Sequence, residues 1–238
     1  IKLAYSQNSI EHVIKENKYS YPLVVKPIHG SFGKDVYINI DNIVKLMDVI
    51  KEIKVKRQLP NRVILEEQIE GDNYRIFCFE DKIIDIIKRI PANVIGNGED
   101  NLEKLIRKKN MKLKIEDKPI IRDIDHEVLA RQNYHLYSVI PKGEKVFLTL
   151  VANYNRGSDI ERIDKREFHK DLLKIFRKIN RIFKTKMVGI DFISDDIKDN
   201  KKGKIIELNA NPDNSIHYAV SGNSDFYTKQ ILDILFSA

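Results

Sequence analysis

Glu207, Asn209 and Asn211 alternate with Ile206, Leu208 and Ala210 in the segment Lys204-Ile205-Ile206-Glu207-Leu208-Asn209-Ala210-Asn211-Pro212. Side chains on a strand alternate faces, so one side of this segment offers oxygen donors while the other is apolar. Asp191 stands within the apolar run Gly189-Ile190-Asp191-Phe192-Ile193. A hairpin loop through the polar stretch from Asp195 to Gly203 brings it back beside Glu207 and Asn209. Two carboxylates and an amide oxygen on a stiff sheet form a hard, all-oxygen site of the kind that holds Mg²⁺ against phosphates, with Mn²⁺ as a substitute. Acidic residues on a half-solvated sheet also simply face water, so the remaining residues decide what this pattern means.

Lys26 follows two valines and precedes Pro27. A strand lysine among apolar neighbours is costly to bury unpaired and either reaches water or meets an anion. His29-Gly30-Ser31-Phe32-Gly33-Lys34 follows directly. Its glycines let the backbone turn its N–H groups toward phosphate oxygens, although such a loop is also an ordinary hairpin. Glu66-Glu67-Gln68-Ile69-Glu70-Gly71 ends an apolar strand and offers a carboxylate and backbone groups to a purine, or else a solvated turn. Arg75 and Arg89 lie on strands and suit bidentate capture of carboxylate or phosphate. Asn153-Tyr154-Asn155-Arg156-Gly157-Ser158 is a polar turn able to clamp phosphate. His217 suits either substrate contact or a structural position. Neither a Ser-His-Asp order nor zinc-ligand spacing stands out.

Around these residues the sequence predicts an alternation of strands and helices. Strands are expected at Leu23–Lys26, Val36–Ile40, Arg62–Glu66, Tyr74–Phe79, Lys82–Ile90, Val146–Ala152, Val188–Ile193 and Lys204–Leu208. Ile43, Leu46, Met47, Ile50 and Ile53 repeat at helical spacing. Leu172, Ile175, Phe176, Ile179, Ile182 and Phe183 trace one helix face. Further helices are expected at Asn101–Lys108 and Thr228–Phe236. Strands paired as meanders with helices on one face make an α+β fold with a largely antiparallel sheet. Two lobes are expected, 1–66 and 67–238, the first carrying the glycine loop.

With 238 residues, 42% hydrophobic and 32% charged, the composition is that of an ordinary globular protein with ample core. No apolar run approaches the roughly 20 residues of a membrane helix. The single cysteine, Cys78, cannot form an intrachain disulfide, which points to a reducing cytoplasm. It reads as a small core residue. The net charge of +7 raises the question of nucleic acid, but the Lys and Arg residues are spread along the chain without interleaved aromatics, which argues against that partner.

The order of these pieces resembles the ATP-grasp superfamily from about Tyr21 to Phe236, and most resembles the ATP-grasp module of cyanophycin synthetases and bifunctional glutathione synthetases. The matching strings are Tyr21 to Pro27 with its glycine loop, Glu66 to Arg75, Arg89 to Gly98, Ala152-Asn153 with Arg156-Gly157, Gly189-Ile190-Asp191, and Ile206 to Pro212. The resemblance implies ATP held between a small lid lobe and a large lobe, Mg²⁺ bridging its phosphates, and a ligase that activates a carboxylate as an acyl phosphate before an amine attacks. It implies that Lys26, Ser31, Phe32, Gly33 and Lys34 hold phosphates. Glu66, Glu67, Gln68 and Ile69 would recognise adenine, with Asn73 near the ribose. Asp191, Glu207 and Asn209 would ligate the metal. Arg75, Arg89, Asn153, Arg156, Asn211 and His217 would line the phosphate and acceptor side, with Arg89, Asn153 and Asn209 closest to the chemistry. An amino acid or peptide is the implied substrate.

Three departures stand out. Family members carry a further lobe before this point with another phosphate-binding lysine. The chain, which lacks an initiator Met, is therefore expected to be missing an N-terminal lobe, or to draw on a partner or a homo-oligomer for it. Thr149 occupies a position where relatives often have arginine, and Asp213 follows Pro212 where glycine is usual. These departures keep open the alternative of a catalytically silent module that binds nucleotide or a partner protein.

Overall fold

In the computed structural model, which describes residues 7–29, 35–57, 63–221 and 224–236, Leu23, Val25 and Pro27 of strand β1 (Leu23–Pro27) are buried and Val24 and Lys26 half-buried. That alternation seats β1 in the middle of a three-stranded antiparallel sheet. Its neighbours are β2 (Tyr37–Ile40) and β3 (Val63–Glu67). Helices α1 (Gln7–Glu16) and α2 (Ile43–Arg57) supply Ile10, Leu46, Ile50 and Ile53 to the same core as Leu23, Val25, Ile40 and Leu65. These elements belong to one compact unit, Ile1–Gln68; the rest of the chain, Ile69–Ala238, is a second.

The second unit is built on a five-stranded antiparallel sheet. It is formed by β4 (Asp72–Phe79), β5 (Lys82–Ile90), β8 (Asp159–Arg162), β9 (Met187–Ser194) and β10 (Lys204–Asn209), in the order β10-β9-β4-β5-β8. One face is apolar. Tyr74, Ile76, Cys78, Ile83, Ile86, Val188, Ile190 and Phe192 pack there against Phe168, Leu172, Phe176 and Ile179, the last three from helix α5 (Lys170–Phe183). Gly71, at φ +130°, opens β4 where an added Cβ would sit 2.3 Å from the carbonyl carbon of Ser194. A smaller core joins the two-stranded sheet of β6 (Asn93–Ile95) and β7 (Lys145–Phe147) to helices α3 (Leu102–Ile115) and α4 (His126–Arg131). Helices α6 (Ser215–Ser221) and α7 (Ser224–Phe236) close the chain.

Several sequence expectations are corrected. The strand expected from Val146 to Ala152 is only Lys145–Phe147. The α5 stripe is narrower than its periodicity suggested, since Ile175, Ile182 and Phe183 are 47%, 68% and 62% exposed. The helix after Asn101 runs to Ile115, capped by the Asn101 side chain on the Lys104 N–H. Helices α1, α4 and α6 and strands β6 and β8 carry too few periodic apolar residues to have been read. Cys78 is fully buried, and burial pushes its thiol up to about 12, so it is a core side chain rather than a nucleophile. Among the described residues, no helix is long and apolar enough to cross a membrane.

Candidate active site

Lys26 and Glu66 face the same side of the first sheet, because Val24 is opposite Glu66 and Lys26 opposite Ile64. Their side chains meet diagonally, with Nζ 2.8 Å from Oε1, which answers how a half-buried strand lysine is satisfied. Gln68 is also committed locally. Its Nε2 donates to Asn39 Oδ1 at 2.7 Å, its Oε1 accepts from the Asn39 backbone N–H at 2.6 Å, and its own N–H donates to Pro22 O. Any ligand contact of Gln68 must therefore come from its carbonyl or follow a rearrangement. Glu67 is exposed and Ile69 half-buried. Ser31, Phe32, Gly33 and Lys34 lie outside the described residues.

In the second unit the strand register does the assembling. Glu207 of β10 is opposite Asp191 of β9, and Asp191 is opposite Arg75 of β4. Directly opposed residues share a face, so an acid, an acid and a guanidinium form a row across three strands. Arg89 joins from β5, where it is opposite Asn73. Arg75 Nε donates to Asp191 Oδ1 at 2.6 Å and Nη2 to Oδ2 at 3.4 Å. Arg89 Nη2 lies 3.2 Å from the same Oδ1. Arg89 is itself held by Asn73, whose Oδ1 accepts from Nε at 2.7 Å and from Nη2. Asn73, assigned to a ribose by resemblance, is in this geometry a brace for Arg89. The side chains of Asp191, Arg75 and Arg89 are only 12–13% exposed. Burial draws the Arg89 pKa below its ordinary value, while Asp191 and Glu207 pull the other way.

Gly189 explains how Arg75 can lie flat on the sheet. A Cβ there would meet Pro212 Cβ at 2.8 Å and Arg75 Nη1 at 2.9 Å, so the turn after β10 folds over a spot that only glycine leaves open. Glycine inside a strand normally weakens it, and Gly→Ala would stabilise if there were room. Here neither neighbour can yield cheaply, since Pro212 is buried and Arg75 is pinned by Asp191. Gly189→Ala is expected to lower stability by about 1–3 kcal/mol, read from the midpoint of urea unfolding. An unchanged or higher midpoint would show that Arg75 is not fixed where this packing requires.

The donors suit a hard cation. Asp191 and Glu207 are directly opposed, Asn209 follows two residues on along the same face opposite Gly189, and among the described residues Asp191 Oδ2 accepts only the long Arg75 contact. Glu207 is exposed and Asn209 half-buried. Among the described residues, no group of three or more His, Cys, Asp and Glu is gathered for a metal, so the candidate is this set of two carboxylates and one amide.

The remaining expected site residues are Asn153, Arg156, Asn211 and His217. Asn153 Oδ1 accepts from the Asn155 N–H at 2.9 Å, capping a short turn of 3₁₀ helix, and Arg156 Nε donates to Asp123. Asn211 is exposed. His217 is 1% exposed, so any contact it makes with a ligand requires its cover to move. Its Nδ1 is 3.0 Å from Asp85 Oδ2, which also accepts from the Tyr227 hydroxyl at 2.5 Å, while Arg162 Nε is 3.2 Å from Asp85 Oδ1. Asp85, Arg162 and Tyr227 were not read from the sequence. The signal was there: Asp85 interrupts the apolar run Lys82-Ile83-Ile84-Asp85-Ile86-Ile87, and a carboxylate buried in such a strand must find partners.

Residues 1–128 match the RimK-like ATP-grasp domain family. Cyanophycin synthetase of Synechocystis sp. is 30% identical over 231 residues, covering 91% of this chain and 26% of that protein. The glutathione biosynthesis bifunctional protein GshAB of Clostridium perfringens is 30% identical over 227 residues, covering 90% and 29%. The solved bifunctional glutathione synthetase from Pasteurella multocida superposes with a TM-score of 0.58 at 22% identity, over 98% of this chain and 33% of that one. The chain thus spans between a quarter and a third of the length of these relatives. By sequence match and by architecture, it belongs to the RimK-like ATP-grasp family.

Proposed function

We propose that this chain is the ATP-grasp portion of a Mg²⁺-dependent carboxylate–amine ligase that joins an amino acid or peptide through an acyl phosphate. The observation that carries the reading is the opposed Asp191–Glu207 pair set beside Arg75 and Arg89, in a chain similar to proteins named cyanophycin synthetase and glutathione biosynthesis bifunctional protein. A carboxylate oxygen of the first substrate attacks the γ-phosphorus of ATP and the bond to the β-phosphate oxygen breaks, releasing ADP. An amine then attacks the acyl carbon, phosphate departs, and the nitrogen loses a proton to give the amide. Neither step needs a covalent protein nucleophile.

Asp191, Glu207 and Asn209 would hold the Mg²⁺, which supplies charge neutralisation for the phosphates. Arg89, braced by Asn73, presents a preoriented guanidinium toward charge that develops on the transferred phosphoryl group. Arg75 keeps Asp191 in place, and the β-sheet keeps the whole row rigid, so that little reorganisation is required during reaction. Lys26 with Glu66 are the candidate nucleotide contacts of the first unit. Cytoplasmic location accords with the single buried thiol.

The test is ADP and phosphate release with MgATP across a panel of amino acids and short peptides, followed by mass spectrometry of the products. Amide formation coupled to ADP release supports the reading. A folded sample that gives no thermal shift with MgATP and no phosphate release with any member of the panel rejects it. Nucleotide binding without turnover would favour the silent-module alternative. That alternative draws on Asp213, which is exposed and whose Oδ1 accepts from the Ser215 N–H, and on Thr149, whose Oγ1 accepts from the Val151 N–H.

A further inference from the structure

Charge balance across the Asp191 row differs from that of a free-standing divalent-cation site. Two carboxylates, Asp191 and Glu207, are matched on the same sheet face by two guanidiniums, Arg75 and Arg89. Lys204, opposite Ile193 on that face, adds a further cation. At Asp191 the matching is intimate, whereas Glu207 is exposed. Oxygen Oδ1 of Asp191 is approached by both guanidiniums, at 2.6 Å and 3.2 Å, with all three side chains at most 13% exposed. Screening by water is weak for such a group.

We propose that Arg75 and Arg89 act as built-in counter-ions for the Asp191–Glu207 pair, so that the site accepts a divalent cation only together with the polyphosphate of a nucleotide. This rests on the metal and nucleotide reading given above. A bare divalent ion approaching Asp191 meets no net negative charge and is repelled by two cations only a few ångströms away. A polyphosphate changes the balance twice over. It adds several negative charges, and its oxygens suit the bidentate geometry of the guanidiniums, which frees part of the Asp191 field for the metal. Metal and nucleotide then raise each other's affinity, and by linkage the coupling is the same in both directions. A cation bound alone would occupy the carboxylates without a phosphate to act on, and the arginines prevent that occupancy.

Mn²⁺ serves as the probe, its free concentration followed by electron paramagnetic resonance, with the non-hydrolysable ATP analogue AMPPNP. The wild-type chain is expected to take up Mn²⁺ when the analogue is present and to show little uptake without it. Arg75→Gln removes one counter-ion and is expected to gain nucleotide-free Mn²⁺ affinity by about tenfold or more, whereas Arg75→Lys, which keeps the charge, stays near wild type. Arg89→Gln provides a second gain-of-binding variant should Arg75→Gln fail to fold, and the wild-type comparison stands regardless of either. Equal Mn²⁺ affinity of the wild type with and without the analogue overturns the counter-ion proposal while leaving the metal–nucleotide site intact. A folded Arg75→Gln or Arg89→Gln variant that gains nothing does the same. Failure of the wild type to bind Mn²⁺ even with the analogue overturns the underlying reading, and the counter-ion proposal with it.

Discussion

Asp191→Asn is expected to remove nucleotide-dependent chemistry and a substantial part of the stability of the second unit at the same time. The two losses have different causes. For catalysis, the substitution takes one of two carboxylates from the proposed metal ligands and leaves a neutral amide. The loss of one electrostatic contact of this kind typically costs about 10²–10³ in rate. For stability, Asp191 is the shared anion of Arg75 and Arg89, with each side chain 12–13% exposed. Asparagine keeps an oxygen that can accept one hydrogen bond but no charge, so two largely buried guanidiniums lose the carboxylate that both of them contact. Removing one member of a buried charge group typically costs about 3–5 kcal/mol, and the retained amide places this variant at the lower end, about 3 kcal/mol. Urea unfolding and phosphate release measured on the same preparation separate the two. A variant within about 1 kcal/mol of wild type would mean that the Arg75–Asp191–Arg89 contacts do not persist in solution. Wild-type turnover would remove Asp191 from the site altogether.

The buried group around Asp85 should matter as much to stability, although no expected site residue except His217 belongs to it. Asp85 is 6% exposed and accepts from the Tyr227 hydroxyl and from His217, with Arg162 on its other oxygen. It ties β5 to β8 and to helices α6 and α7. Asp85→Ala removes the buried acceptor that the His217 and Tyr227 side chains share, together with one Arg162 contact, and a loss of about 3 kcal/mol is expected. Burial lowers the His217 pKa below its ordinary value of 6.5, more than Asp85 raises it. At neutral pH its ring is therefore neutral, and the Asp85 contact is a hydrogen bond rather than an ion pair.

The sign of the pH dependence follows from that direction. Below about pH 6.5 the unfolded chain takes up a proton at His217 that the folded chain refuses, so the unfolded state binds more protons and stability falls as pH falls. The contribution is fully present above the unfolded value and is lost through the folded one, with a slope of at most about 1.4 kcal/mol per pH unit. His217→Gln should flatten this part of the profile. Urea midpoints measured from neutral to mildly acid pH in wild type and variant give the difference. Parallel profiles would exclude His217 as the source.

Much of the positioning was legible in the residues themselves. Glu207 and Asn209 had to share a face once Ile206 and Leu208 were taken as apolar, because the two-residue period of a strand is a local property. The run Leu23–Lys26 was likewise legible as a short strand, and the spacing of Ile43, Leu46, Ile50 and Ile53 as a helix. The order of the motifs was enough to suggest the family. The width of the α5 stripe was not legible, since helical periodicity marks apolar positions without saying how far the neighbouring layer extends over them.

What the tertiary structure alone decided was which long-range partners meet. Arg75 and Asp191 are 116 positions apart, and Asp85 lies 132 and 142 positions from His217 and Tyr227. Each reads in isolation as a charged or polar residue awaiting a ligand or water. The register of β4 on β9 makes Arg75 the neighbour of Asp191, and the return of the last two helices makes His217 and Tyr227 the neighbours of Asp85. Local periodicity fixes the face on which a side chain emerges. Its partner is set by strand pairing and packing between distant segments, and that pairing gave Arg75, Asn73 and His217 neighbours that no local pattern could show.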